Sequence, residues 1–212
     1  MMNIYQHVFS PIEVNTYVLS DASGECAIID CGCYNEPEFS RLVRFIESKK
    51  LEPVLLLNTH CHLDHVFGNR FLFEKYQLKS MFNESEESNR LNARLQASFY
   101  GLDMEMPPEP ASFIRDEQVI SFGSSSLKAL SVPGHTKGSL AFYSESDQFV
   151  LTGDALFAGS IGRTDLPGGD YQTLILSITN KLLTLPGSTV VYPGHGPVTT
   201  IEAEIKTNPY LS

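Results

Sequence analysis

The 212-residue chain predicts an α/β fold, and three observations carry that expectation. A strand, helix, strand unit is written into residues 25–57, where two apolar runs flank a segment of helical periodicity. Short apolar runs bounded by glycine, proline and aspartate recur along the rest of the chain, and their length suits strands. Side chains suited to chemistry stand just past the ends of these runs, as they do where ligands collect at the carboxyl ends of strands. The length fits one core, and residues 1–212 are read as a single domain.

Taken in order, residues 3–9 and 16–20 read as short strands around Ser10 and Pro11. A polar turn at 21–24 leads to a third strand at 25–30, giving an antiparallel opening to a sheet. His7 has no neighbour at ligand spacing and reads as a partly buried or surface strand residue. Phe39, Leu42, Val43 and Ile46 recur at helical spacing within 36–50, with Pro37 at an early helical position and Pro53 beyond the end. Residues 54–57 form a buried strand, 67–76 a helix and 78–82 another short strand.

Residues 84–99 are polar, with Leu91 and Leu95 four apart, and read as one solvent-exposed helix. Gly101 and three prolines break residues 100–110. The segment 83–110 is therefore expected to be an insertion on the substrate side, with Met104 and Met106 lining an apolar wall or filling core gaps. Strands follow at 118–122, 127–132, 140–143 and 149–152. Leu174, Ile178 and Leu182 mark a helix over 171–183, and a last strand at 190–192 precedes a short helix and coil over 201–212.

Composition narrows the function. With 15 basic against 25 acidic residues the formal charge is −10, which argues against a nucleic-acid surface. It leaves an anionic small substrate open, because bound metal ions invert the local field. No secretory signal and no apolar run of membrane length is visible, so no membrane is expected. Cys26, Cys31, Cys33 and Cys61 lack the spacing of a disulfide framework; reduced thiols and a cytoplasmic location are the simpler expectation. A Cys31–Cys33 ligand pair lacks the second pair that would complete a site, and Cys61 is assigned to packing.

The chemistry concentrates in residues 54–65, VLLLNTHCHLDH. Three imidazoles and a carboxylate, His60, His62, Asp64 and His65, make a poor core but a good metal site. His60 and His62 point the same way on an extended backbone, and a turn at Asp64 and His65 aims that pair beside the first. One run then supplies half-sites for two metals. His135, Asp154 and His195 each follow an apolar run and sit beside a glycine that permits close backbone approach. Five of the six histidines are thus accounted for.

The HxHxDH run and the three later sites resemble the metallo-beta-lactamase superfamily, which implies an αββα sandwich of two mixed sheets covered by helices. The resemblance implies that His60, His62 and His135 bind one metal, that Asp64, His65 and His195 bind a second, and that Asp154 bridges them. It also places Asp30 in a turn beneath the ligands, accepting a hydrogen bond that fixes a ligand or loop. Two divalent ions are expected, zinc foremost and iron or manganese otherwise. Such a pair lowers the pKa of a shared water to near neutral, polarises the carbonyl that the hydroxide attacks and stabilises the oxyanion. Asp64 would also orient the water.

TGDALF, GRTDLPGGD and PGHG closely resemble the glyoxalase II (hydroxyacylglutathione hydrolase) branch over nearly the whole chain. That implies hydrolysis of acyl thioesters such as S-lactoylglutathione, whose thiolate leaves without a strong acid. The tail beyond PGHG is too short for that branch's helical domain, so the resemblance is to its short form. Phe142 and Asp165 lie where tyrosines are expected, and Lys137, Phe142 and Arg163 remain candidate substrate contacts. Arg163, Asp165 and Asp170 also read as a rigid loop bracing the ligands. A mononuclear-iron persulfide dioxygenase and a lactone hydrolase are the alternatives. A small-molecule substrate and a monomer or homodimer are expected.

Overall fold

The computed structural model describes residues 1–211. The chain opens with β1 (Asn3–Phe9), β2 (Val14–Ser20) and β3 (Glu25–Ile29), followed by α1 (Glu36–Lys49) and β4 (Glu52–Leu57). Next come α2 (Leu63–Val66), α3 (Asn69–Tyr76), β5 (Ser80–Phe82), α4 (Glu87–Phe99) and β6 (Ser112–Phe113). These strands form one six-stranded sheet in the order β1-β2-β3-β4-β5-β6, antiparallel through β3 and parallel beyond it.

The second half supplies β7 (Val119–Phe122), β8 (Ser125–Ser131), β9 (Leu140–Ser144), β10 (Phe149–Gly153), β13 (Val190–Pro193) and β14 (Thr199–Thr200). They form a second six-stranded sheet in the order β14-β13-β10-β9-β8-β7, parallel only between β10 and β13. A small hairpin of β11 (Leu156–Phe157) and β12 (Ser160–Ile161), and helices α5 (Tyr171–Ser177) and α6 (Ile201–Thr207), complete the chain.

Strand periodicity explains the layering. Tyr17, Leu19, Ala27 and Ile29 of the first sheet face Leu140, Phe142, Phe149 and Leu151 of the second in one buried cluster. The alternate residues Val18 and Ile28 turn outward and pack beneath Phe39, Leu42 and Ile46 of α1. Ala141, Tyr143 and Val150 turn outward beneath Leu174 of α5 and Ile201 of α6. A shift of one residue in either sheet would swap these faces. Full burial of each such leucine, isoleucine or phenylalanine contributes about 1.5–3 kcal/mol. The result is the expected α/β sandwich: helices, mixed sheet, mixed sheet, helices.

The helices begin and end for local reasons. Asn35 caps α1 by accepting from Glu38 N at 3.0 Å, Pro37 fits its first turn, and Lys50 ends it in the left-handed region at φ 54°. Asp170 caps α5 by accepting from Thr173 N at 2.7 Å, and Thr200 caps α6.

Three expectations need correction, and four short strands were not expected. The helix expected over 67–76 begins at Asn69 as α3, and a separate one-turn helix, α2, precedes it, with Phe67 and Gly68 as a turn between them. The Gly68 amide donates to the Cys31 carbonyl at 2.8 Å, and a side chain there would strike Cys31 Sγ. The helix expected over 171–183 continues past Ser177 as a π-helical turn, Ile178–Leu182. Residues 84–99 open with a 3-10 turn, Glu84–Glu86, and turn Glu86, Arg90, Ala93 and Ala97 inward, whereas Leu91 and Leu95 face solvent. The short pairings β6, β11, β12 and β14 were not anticipated, since two-residue strands leave no periodicity to read. Of the tail, α6 ends at Thr207, and Ser212 lies outside the described residues.

The four thiols are free and buried. Cys31 and Cys33 pack under α1, and Cys61 packs between α2 and α4. Met104 fills that same α2–α4 core, and Met106 borders a separate cavity with Arg70 and Arg94. No helix is long and apolar enough to cross a membrane among the described residues.

Candidate metal centre

The seven ligand-type residues converge between the carboxyl ends of the two sheets. His60 and His62 follow β4 on an extended segment, and α2 then turns Asp64 and His65 inward. His135 comes from the loop between β8 and β9, Asp154 follows β10, and His195 follows β13. Three ligand groups result: His60, His62 and His135; Asp64, His65 and His195; and His60, His65 and Asp154. Within each group the ligand atoms lie within 4.8 Å of one another.

Three of the five imidazoles have an oriented hydrogen-bond partner on the far side. His135 Nδ1 lies 2.8 Å from the Arg163 carbonyl, and His195 Nδ1 lies 3.1 Å from the Glu13 carbonyl. Thr59 Oγ1 donates to Asp30 Oδ2 at 2.6 Å and therefore accepts from His60 Nδ1 at 3.1 Å. His65 Nδ1 approaches Asp30 Oδ2 at 3.0 Å, without the alignment of a hydrogen bond. For His60, His135 and His195 these acceptors place the ring proton on Nδ1 and leave the Nε2 lone pair facing inward.

The inward-facing ligand atoms crowd together. His60 Nε2 and His135 Nε2 stand 3.2 Å apart as two lone pairs, and His62 Nδ1 is 2.9 Å from His135 Nε2. His195 Nε2 faces Asp64 Oδ2 at 3.1 Å, and buried Asp154 Oδ1 has no hydrogen-bond partner. Cations held among these groups would resolve the contacts. The donor set, imidazole nitrogen and carboxylate oxygen, suits two divalent ions.

The electrostatics of the protein groups divide the centre. Burial, followed by the crowd of neighbouring imidazoles, drives the His60 pKa well below its usual 6.5. His62 is pushed down to about 4, by burial and then by His135. Burial also opposes charge on His65, but the carboxylates of Asp154, Asp64 and Asp30 outweigh it and raise that pKa. Asp64 and Asp154 resist burial through His65 and His195, and both are held below the ordinary carboxylate range. His60 and His62 thus present neutral nitrogens ready to ligate. The second group holds a proton on His65 that a metal would displace.

Asp30 sits at the centre of the supports. Its Oδ1 accepts from Thr59 N at 2.8 Å, and its own φ of 51° turns the chain beneath the ligands. Asp165 forms a two-pronged pair with Arg163 at 2.8 and 2.7 Å. The Arg163 carbonyl orients His135, so this loop acts on the ligand through its backbone. Asp170 caps α5, and its amide donates to the Gly134 carbonyl at 2.8 Å, next to His135.

The expected substrate contacts separate. His62, Asp64, His135, Asp154 and His195 border a cavity of 680 Å³ walled by Leu63, Phe99, Tyr100, Leu166 and Pro167, with Asn89, Gln96 and Arg163 also lining it. Lys137 opens onto an adjoining groove of 370 Å³ that shares Asn89, Gln96, Phe99 and Pro167 with the cavity. Phe142 is a correction. It is wholly buried between the sheets, because its strand position points into the core, and it touches no substrate space.

Several supports were not foreseen from sequence. Asn15 Nδ2 donates to the Pro193 and Gly196 carbonyls at 2.9 and 3.0 Å, and Tyr17 Oη donates to the Pro193 carbonyl at 2.7 Å. A strand of the first sheet thereby holds the His195 loop of the second. Asn58 Nδ2 donates to the His65 carbonyl at 2.8 Å, holding the turn that aims Asp64 and His65. Asn58, a polar residue at the end of β4, carried a sequence signal; Asn15 and Tyr17, inside β2, carried none.

Comparison with known proteins agrees with this geometry. The family model of the metallo-beta-lactamase superfamily matches residues 10–195. The probable metallo-hydrolase YqgX of Bacillus subtilis is 36% identical over 203 residues, covering 95% of this chain and 94% of that protein. The hydroxyacylglutathione hydrolase GloC of Haemophilus influenzae is 36% identical over 216 residues, covering 100% of this chain and 99% of that protein. Among solved structures, TTHA1623 in a di-iron-bound form matches with a TM-score of 0.89 at 36% identity, covering 98% of this chain and 100% of that one. On the fold, the converging ligands and these matches, the chain belongs to the metallo-beta-lactamase superfamily.

Proposed function

We propose that the protein is a two-metal hydrolase of acyl thioesters, with S-lactoylglutathione as the model substrate. One observation carries the reading: the ligand-type side chains form the floor of an apolar-walled cavity that holds no other carboxyl or imidazole group. A leaving group must then depart without protonation by a strong acid from the wall. A thiol, with a pKa near 8.5, meets that condition far better than an alcohol or an amine. The similarity to GloC points the same way.

His60, His62 and His135 would hold one ion, Asp64, His65 and His195 the other, and Asp154 would face both. Bound there, the ions supply Lewis-acid polarisation of the thioester carbonyl and a water of near-neutral pKa. The chain's own residues do the rest. Leu63, Phe99, Leu166 and Pro167 exclude bulk water from the acyl group. Asp64, at the cavity floor, orients the attacking water. Residues 83–110 act as the substrate-side wall, because Asn89, Gln96, Phe99 and Tyr100 all come from that segment.

The thiol portion is assigned to the adjoining groove, where Lys137 supplies a positive charge and Asn89, Asn92 and Gln96 supply amides. Lys137→Glu is expected to raise KM several-fold for an anionic thiol carrier, about 1 kcal/mol. Neither kcat nor the KM of an uncharged thioester should change. An equal rise for both substrates would move the carrier elsewhere.

The defining assay is a panel of thioesters, lactones and glutathione persulfide, run on zinc-loaded and iron-loaded protein with metal content measured. Thioester cleavage should give the highest kcat/KM. Failure to cleave any thioester with two metals bound would sink the reading, and oxygen uptake with the persulfide would replace it.

A further inference from the structure

Glu86 lies outside the ligand set, yet it joins the two loops that carry the first ligand group. It is wholly buried at the end of the 3-10 turn that follows β5. Its Oε2 accepts from the amide of Cys61, the residue between His60 and His62, at 2.9 Å. Its Oε1 accepts from the amide of Gly138, three residues past His135, at 2.8 Å. The first loop belongs to one sheet and the second loop to the other. Asn89 Nδ2 adds a third donor at 2.9 Å.

A buried carboxylate without a basic partner is costly, and no lysine or arginine pairs with Glu86 among the described residues. Nearby Arg90 is instead engaged by Glu87, through Nε at 2.8 Å and Nη2 at 2.6 Å. Three N–H donors offset the cost, and two of them are backbone groups that no side-chain change can supply elsewhere. Gly138 is shaped to this contact. A Cβ there would lie 2.8 Å from both Cγ and Oε1 of Glu86.

We propose that Glu86 is a positioning residue for the metal centre of His60, His62 and His135, an acceptor-only clasp that sets the spacing of the two ligand loops. This rests on the reading that those three histidines hold a metal. Their nitrogens come from both loops and approach to 2.9 and 3.2 Å, so a small displacement of one loop spoils the set. Only a group with two acceptor atoms can take an N–H from each loop. An amide of the same size must turn its NH₂ toward one of them, donor against donor, and release that loop.

The test is metal binding by competition against a chromophoric chelator, on wild-type protein, Glu86→Gln and Gly138→Ala. Wild-type protein should bind two zinc ions, and a wild type that binds none at the three histidines would remove the reading on which the proposal rests. Both variants should weaken the first site about 10–100-fold and leave the second near its wild-type affinity. Cobalt-substituted protein should show the change as an altered visible spectrum from one site. Should Glu86→Gln fail to fold, Gly138→Ala displaces the same carboxylate from the other side and decides the matter. A folded variant with two wild-type affinities, or equal weakening at both sites, would overturn the positioning role while leaving the hydrolase reading intact.

Discussion

Asp154→Ala is expected to lose metal and rate together. Asp154 Oδ1 lies 3.3 Å from His65 Nε2, and Oδ2 lies 3.7 Å from both His135 Nε2 and His195 Nε2, so one carboxylate faces both ligand groups. Alanine removes that negative charge and leaves five imidazoles around it. His65 also loses the foremost of the carboxylates that raise its pKa against burial. Metal content should fall below one ion per chain. The fall in kcat/KM should exceed the ~10–100-fold that loss of an outer partner costs. Elemental analysis of the purified variant, paired with the thioester assay, reads both quantities. Retention of two ions at wild-type affinity would contradict a shared role for this carboxylate.

Gly194→Ala should have an effect of similar size without removing any ligand. A Cβ at this position would collide with Asp154 Oδ1, lie 2.8 Å from His65 Cε1 and lie 3.1 Å from the Gly153 backbone carbon. The loop has no room to retreat. Its carbonyl accepts from Asn15 N at 2.7 Å, and its amide donates to the Gly153 carbonyl at 2.8 Å. The carboxylate must therefore rotate away from the ligand cluster. Overpacking of this kind costs about 1–3 kcal/mol of stability. Circular dichroism and thermal melts should show a folded protein of lower Tm, and metal analysis should show the loss of at least one ion. A variant with normal metal content would mean that the Asp154 side chain has a freedom the packing denies.

How much of this was legible beforehand depends on the kind of signal. The buried strands announced themselves through apolar runs and turn formers, and the two-sheet architecture came through the family resemblance. The convergence of His60, His62, Asp64 and His65 was visible because four ligand-type side chains crowd six residues. His135, Asp154 and His195 were visible because each follows a strand and adjoins a glycine. The helix over 84–99 was legible as a helix, but its orientation was not. Leu91 and Leu95 drew attention, yet the packed face is Glu86, Arg90, Ala93 and Ala97. A charged residue reads as solvated in sequence, and only a tertiary partner reverses that reading.

Phe142 failed for a related reason. Its place in a family pattern aimed it at substrate, whereas strand alternation points it between the sheets, where Leu140 and Leu151 also pack. Asn15, Tyr17 and Glu86 left no trace, because each acts on a backbone group distant in the chain: Asn15 bonds across 178 and 181 residues, and Glu86 across 25 and 52. By itself, then, the amino-acid sequence determined the longer strands and helices, the identity of the ligand-type residues and the chemistry their side chains permit. Those are properties of composition and short spacing. Tertiary structure alone decided which loops meet, which imidazole nitrogens face inward and which buried carboxylate ties the loops together, since hydrogen bonds between distant segments exist only once both sheets are packed.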